Sequence, residues 1–240
     1  MTLCPSITNL SRAAFALVFV WSTVYSTANA ESALLTKARA GENVKVVLLG
    51  TSLTAAGSWP GSLNTWLNSE SHGPGSVTVI NRAVSGKASN HGVSVQLPLA
   101  LEDEPDVVFI EFSMNDAASS LNITQQEATD NLNTMINALV AQNPNVIIIL
   151  QTMNNVATNT SPFSARPNLN AYYQIYRDAA VVHGAILIDH YPNWQNLFTT
   201  DLTRWNSYMK DAVHPNALGQ TKVLMPELKA VLGGVSVEQP

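Results

Sequence analysis

Five short apolar runs divide this chain, and the segments between them have helical period. The runs are Val44–Leu49, Val77–Asn81, Val107–Phe112, Val146–Gln151 and Ala185–Asp189. Apolar nearly throughout and rich in Val and Ile, they are strands of the kind that a parallel sheet buries on both faces. Helices are expected between them near Gly61–Ser69, Val93–Leu101, Thr124–Gln142 and Leu169–His183, with a last one near Ala217–Leu232. Thr124, followed three residues later by Glu127, is a capping-box start for a helix carrying Leu132, Met135, Ile136 and Leu139 on one face. The alternation specifies an α/β protein, a three-layer α/β/α sandwich around a flavodoxin-like, doubly wound parallel sheet of about five strands with right-handed crossovers. Two long segments, Thr152–Pro167 and His190–Lys210, read as loops.

The first thirty residues follow another logic. Arg12 precedes the apolar stretch from Ala13 to Trp21, and Ala28-Asn29-Ala30 supplies small residues at cleavage positions. That order is a secretory signal peptide. The apolar stretch is shorter than the roughly 20 residues needed to span a bilayer, and Cys4 precedes it, so no lipoprotein site is expected. The chain therefore reads as a signal peptide over 1–30 and a single domain over 31–240, secreted or periplasmic, with no stable membrane association after cleavage. Arg12 is the only charge in the leader, so its removal takes the formal net charge from −5 to −6. Mild acidity offers no basic patch for nucleic acid. Cys4 is the only cysteine, which leaves the exported part without disulfides or a cysteine–zinc site.

Gly50-Thr51-Ser52-Leu53-Thr54 directly follows the first apolar run, which places a serine hydroxyl at the carboxyl end of a strand. Ligands of open α/β sheets bind there. Asp211-Ala212-Val213-His214-Pro215 stands near the other end of the chain. A serine hydroxyl is a weak nucleophile until a base takes its proton, and an imidazole works better when a carboxylate fixes its tautomer. Ser52, His214 and Asp211 supply the three parts. His72, His91, His183 and His190 have no acidic residue three positions earlier; His183 reads as a capping or packing residue, and His190 as a residue at the cleft rim. Neither a metal-ligand cluster nor a Gly-rich phosphate loop stands out, so cofactor-free chemistry is expected, with no metal.

The chain resembles the SGNH hydrolases, also called GDSL esterases, whose four sequence blocks contribute a serine, a glycine, an asparagine and a histidine in that order. The blocks match Gly50 to Thr54, Asn81-Arg82-Ala83-Val84-Ser85-Gly86, Ser113-Met114-Asn115-Asp116 and Asp211 to Pro215. The resemblance runs from about Val44 to Leu232. It implies Ser52 as nucleophile, His214 as base, Asp211 as the group that orients it, and an oxyanion hole made by the backbone amides of Ser52 and Gly86 and the side-chain amide of Asn115. Two residues depart from the family pattern: Thr51 stands where an aspartate is usual, and Ser113 where a glycine is usual.

The implied activity is that of a serine esterase hydrolysing carboxylic esters through an acyl-enzyme. No second glycine follows Ser52 in a G-x-S-x-G elbow, which argues against the α/β-hydrolase fold. Trp59, Trp66, Trp194 and Trp205 could border the cleft, and the Asn- and Thr-rich Thr152–Pro167 segment suits a polyhydroxylated ligand. With export, these features favour removal of acetyl groups from an oligosaccharide or other carbohydrate ester. The alternatives are a lipolytic esterase, lysophospholipase or thioesterase of the same fold, acyl transfer to a sugar hydroxyl, and a non-catalytic carbohydrate-binding relative.

Overall fold

The computed structural model describes residues 31–235; the expected signal peptide over 1–30 lies outside the described residues. The chain opens with α1 (Ala33–Arg39), β1 (Val44–Gly50), α2 (Ser52–Ala55), α3 (Trp59–Ser69) and β2 (Val77–Asn81). Next comes α4, which starts as Ser89–His91, passes through a π turn at Gly92–Gln96 and ends as Leu97–Glu102. It leads to β3 (Val107–Glu111), α5 (Ser113–Asp116), α6 (Gln125–Gln142) and β4 (Ile147–Thr152). Then follow α7 (Ser161–Ser164), α8 (Leu169–His183), β5 (Ile186–Asp189), α9 (Tyr191–Thr200) and α10 (Leu202–Tyr208). The last helix, α11, runs Ala217–Gly219, a π turn at Gln220–Leu224, and Met225–Gly233.

All five strands pair in parallel in the order β2-β1-β3-β4-β5. The central strand β3 is buried at every position, its four apolar residues and Glu111 alike. Alternate residues feed two cores. Val46, Leu48, Phe109, Ile149 and Ile188 meet Leu35, Trp59, Leu63 and Leu228 from α1, α3 and α11. Val47, Leu49, Val108, Ile110 and Leu150 meet Leu97, Leu132, Met135 and Tyr176 from α4, α6 and α8. Each such aliphatic side chain taken from water contributes about 1.5–3 kcal/mol, so two full cores hold the sheet rigid between its layers. The capping box of α6 forms as expected: Thr124 Oγ1 accepts from the Glu127 amide and the Glu127 carboxylate accepts from the Thr124 amide.

The segment His190–Lys210 is not a loop. It folds into α9 and α10, with Pro192 in the first turn of α9 and Asp201 capping α10 by accepting from the Arg204 amide. Burial decides the matter, because Trp194 and Trp205 are enclosed, Trp194 against Gly219 of α11 and Trp205 against Phe198 and Asn155. Helix α1, unforeseen in the apolar pattern, is capped by Ser32, and Leu34, Leu35 and Ala38 dock into the first core. The strands end together at one edge of the sandwich, and Ser52, Asn115 and the segment after β4 lie at those ends.

Candidate active site

The chain after β1 turns at once into α2. Thr51 caps that helix through Oγ1, which accepts from the Leu53 amide at 3.2 Å, and Ser52 is its first residue. The Ser52 hydroxyl lies 2.8 Å from Nε2 of His214, across 162 residues of sequence.

His214 is held by its own turn. Asp211 Oδ1 accepts from the backbone amides of Val213 and His214, each at 2.8 Å, an Asx-type turn that folds the chain back on itself. The same carboxylate meets His214 Nδ1 at 2.9 and 3.0 Å. A backbone bond from Lys210 to the His214 carbonyl and a bridge between Met209 and Pro215 close the loop. Burial pushes the Asp211 carboxyl up, but the two amides and the imidazole outweigh it, so the group sits below the ordinary carboxylate range. An ionised carboxylate only accepts, so Nδ1 carries the proton and Nε2 is left to accept from the Ser52 hydroxyl.

The three donors that the family resemblance assigns to an oxyanion hole each keep a proton to spare. The Ser52 amide is first in its helix and has no intrahelical acceptor. Gly86 turns at φ +74°, a left-handed conformation that favours glycine, and its amide donates to no group among the described residues. Asn115, buried in α5, donates one amide proton to the Lys87 carbonyl at 2.9 Å. Its second proton is left over, and the bond ties the Gly86 turn to α5.

Beneath this surface lies a carboxylate that sequence reasoning passed over. Glu111, the last residue of β3, is fully buried and accepts from the Thr51 amide at 2.7 Å, the Thr54 hydroxyl at 2.7 Å and the Thr51 hydroxyl at 3.1 Å. Burial drives its pKa up to about 7 against the pull of those three donors. The side chain presses on Gly50, where any Cβ would collide with its carboxylate. Gln96, on the π turn of α4, holds Gly50 from the other side, accepting from its amide at 2.8 Å and donating to its carbonyl at 3.0 Å. The hydroxyl of Thr51 thus gives Glu111 a donor where the family's usual aspartate would bring a second carboxyl. The signal was legible: Glu111 is the one charged residue in an otherwise apolar strand. Nearby, burial also raises Asp116 to about 7, although it accepts from the Ser89 amide at 2.8 Å.

Several expectations need correction. His190 is not at the cleft rim; it is completely buried, 3.3 Å from the Gln151 side chain, and burial pushes its pKa down to about 3, so it stays neutral. Trp59, Trp194 and Trp205 belong to the core, and only Trp66 is partly exposed, with Lys229 over its ring. They do not form an aromatic rim. Asn154 and Asn155, at the start of the Asn-rich segment, are also buried and occupied, one donating to the Val213 carbonyl and the other accepting from the Trp205 indole. Ser113 is buried in α5 with its hydroxyl 3.3 Å from the Tyr172 carbonyl. Among the described residues no group of three or more His, Cys, Asp or Glu side chains is arranged to hold a metal ion.

A family model described as GDSL-like lipase/acylhydrolase matches residues 48–222. The chain belongs to this family. Its members are hydrolases, and the paired Ser52 and His214 stand near the two ends of the matched region. Solved structures share the GDSL/SGNH fold. An acetylxylan esterase from Geobacillus stearothermophilus superposes with a TM-score of 0.64 at 17% identity, over 83% of this chain and 100% of its own. A lipase/acylhydrolase from Enterococcus faecalis gives 0.63 at 22%, over 78% and 95%. A putative GDSL-like lipase from Parabacteroides merdae gives 0.66 at 14%, over 86% and 98%. At these identities the likeness is one of fold. No curated protein matches the sequence of this GDSL-family hydrolase.

Proposed function

We propose that this protein is an exported serine esterase that removes acetyl groups from a carbohydrate through an acyl-enzyme. The observation that carries the esterase chemistry is the unbroken chain from Ser52 Oγ through His214 to Asp211, with both bonds under 3 Å. Ser52 attacks the ester carbonyl as His214 Nε2 takes its proton, and His214 returns that proton to the leaving alcohol. Water, deprotonated by His214, then attacks the acyl-enzyme, and the intermediate collapses to acetate as His214 returns that proton to Ser52 Oγ. The amides of Ser52 and Gly86 and the free amide proton of Asn115 receive the oxyanion in both halves.

The carbohydrate reading rests on two concave surfaces carried by segments tied to the site. A depression at the Gly86 turn is lined by Lys87, Asn90, His91 and Ser94, with Ala88 and Leu121 beside them. A cavity of about 320 Å³ mixes polar Thr158, Arg166, Asn170 and Gln195 with apolar Val156, Phe163, Pro167 and Leu169. The hydrogen-bonding side chains in these mixed linings suit a hydroxylated substrate better than they suit a long acyl chain. The acetylxylan esterase neighbours are consistent with this reading, and the basic, apolar and small-residue order of residues 1–30 supports export.

The test is acetate release from acetylated xylo-oligosaccharides beside p-nitrophenyl acetate and p-nitrophenyl octanoate. Turnover of the acetylated sugar and of the short ester is expected, with octanoate poor. Cleavage confined to octanoate would move the substrate to lipids, and silence on every ester would favour a binding role. Asn115→Ala is expected to lower kcat by about 10²–10³-fold, the usual cost of one oxyanion donor, with a smaller change in KM. A variant whose loss appeared only in KM would remove Asn115 from the oxyanion hole.

A further inference from the structure

Every arginine of the described residues but one faces a carboxylate. Arg39 pairs with Glu31 and Glu70, Arg82 with Asp103, Arg177 with Asp189, and Arg204 with Asp201. Arg166 has no such partner. Its Nε donates to the Met114 carbonyl at 2.8 Å and its Nη1 to the Pro162 carbonyl at 3.1 Å. Those bonds orient the guanidinium without neutralising it, and three of its five N–H donors remain.

The surroundings make this unpaired cation unusual. Arg166 is the only charged side chain lining the cavity of about 320 Å³ described above. It is half-buried, and the loss of water lowers its pKa; guanidinium nevertheless stays protonated. Removing a cation from water without a counter-charge is costly, and the protein is acidic overall, with a formal charge of −5, so anions from its own surface were available and are not used.

The segment that lines the cavity is tied at both ends to the turns carrying the reacting groups. Met114, which Arg166 grips, immediately precedes Asn115. At the other end of the same segment, the Ala157 amide donates to the Ala212 carbonyl, inside the turn that carries Asp211 and His214. The segment 153–167 therefore spans from the histidine turn to the asparagine turn.

We propose that this cavity binds a carboxylate borne by the substrate and that Arg166 pairs with it, so that the enzyme acts on acetyl groups of uronic-acid-bearing oligosaccharides. This rests on the carbohydrate-acetylesterase reading above. A planar guanidinium with one free edge matches a planar carboxylate in a two-point pair. A phosphate group fits less well, because the cavity offers no second cation. The amides of Asn170 and Gln195 suit the sugar hydroxyls around such a carboxylate.

The experiment compares kcat/KM for two acetylated xylo-oligosaccharides of equal length, one carrying a glucuronic acid branch and the other the methyl ester of that branch. The free acid is expected to be preferred about ten-fold by the wild type, with the preference shrinking as salt is raised. In Arg166→Gln the ratio is expected to fall close to one, and Arg166→Lys to retain part of it. A wild-type ratio of one would overturn the proposal, as would an Arg166→Gln variant that lost activity on both substrates while keeping the ratio. If Arg166→Gln does not fold, the substrate pair still probes the contact in the unaltered protein. If neither sugar is turned over while p-nitrophenyl acetate is, the carbohydrate reading fails. The anion site is then tested by competition of glucuronate, its methyl ester and inorganic phosphate against p-nitrophenyl acetate. Inhibition by glucuronate alone, lost in Arg166→Gln, would uphold the site; inhibition by phosphate alone, or by none of the three, would overturn it.

Discussion

Ser52→Ala is expected to lower esterase kcat by about 10⁴- to 10⁶-fold while leaving the melting temperature nearly unchanged. Both effects come from what the side chain touches. The hydroxyl makes one hydrogen bond, to His214, and the loop that presents it is held by Glu111, Gln96 and the Thr51 cap. Removing the oxygen therefore removes the nucleophile without loosening its support. Groups that act as one unit are not additive, so Ser52→Ala combined with His214→Ala should be little worse than either alone. Asp211→Ala should cost less than Ser52→Ala. The Asp211 side chain is 49% exposed, and water can partly replace its charge, although the amides of Val213 and His214 would lose their acceptor. Initial rates on p-nitrophenyl acetate with urea melts of each variant check these points. Residual activity above a tenth of wild type in Ser52→Ala would mean that another residue attacks the ester.

The parts of the fold written in local pattern were legible. Five valine- and isoleucine-rich runs became five parallel strands, and the Thr124–Glu127 pair became a capping box, because burial on both faces and cap chemistry are properties of a few adjacent residues. The Asp211–His214 turn was legible for the same reason, since three residues of spacing suffice for one side chain to meet the other. The segment 190–210 was not. Its helices are set by where Trp194 and Trp205 find room, against Gly219 of α11 and against Phe198 and Asn155, and no periodicity in ten residues encodes that. His190 was misjudged likewise: adjacency to a strand end does not say which way the imidazole points. Glu111 and Arg166 share one lesson. Each is a charge out of place, one in a buried strand and the other without a partner. Sequence could flag the first but not the second, because partnership is a property of the folded chain.

Glu111 should make the protein more stable in mild acid than in base. The folded carboxyl titrates at about 7 and the unfolded one near 4.5. The folded state therefore holds the proton more tightly, so this group's stabilisation is full below about pH 4.5 and is lost as pH rises through 7. Asp116 adds to the same trend, with a folded value of about 7 against 3.8. Between pH 5 and pH 8 Glu111 alone is worth on the order of 2 kcal/mol, which is about 4–8 °C in melting temperature for a domain of this size. Glu111→Gln isolates the effect. Its oxygen can still accept from the Thr51 amide, and the threonine hydroxyls can turn to accept from its amide, so the variant should melt above wild type at pH 8 and show a flatter pH dependence. Glu111→Ala should behave in the opposite way. It strands the Thr51 amide and the Thr54 hydroxyl in a buried site and leaves a cavity beside Gly50, costing about 3 kcal/mol or more. Because those donors lie on the turn that presents Ser52, kcat should fall with stability in Glu111→Ala and much less in Glu111→Gln. Thermal melts at pH 5 and pH 8, read as the difference between wild type and each variant, decide it. Equal slopes in wild type and Glu111→Gln would mean that the carboxyl is already ionised in the fold, held by its three donors in spite of its burial.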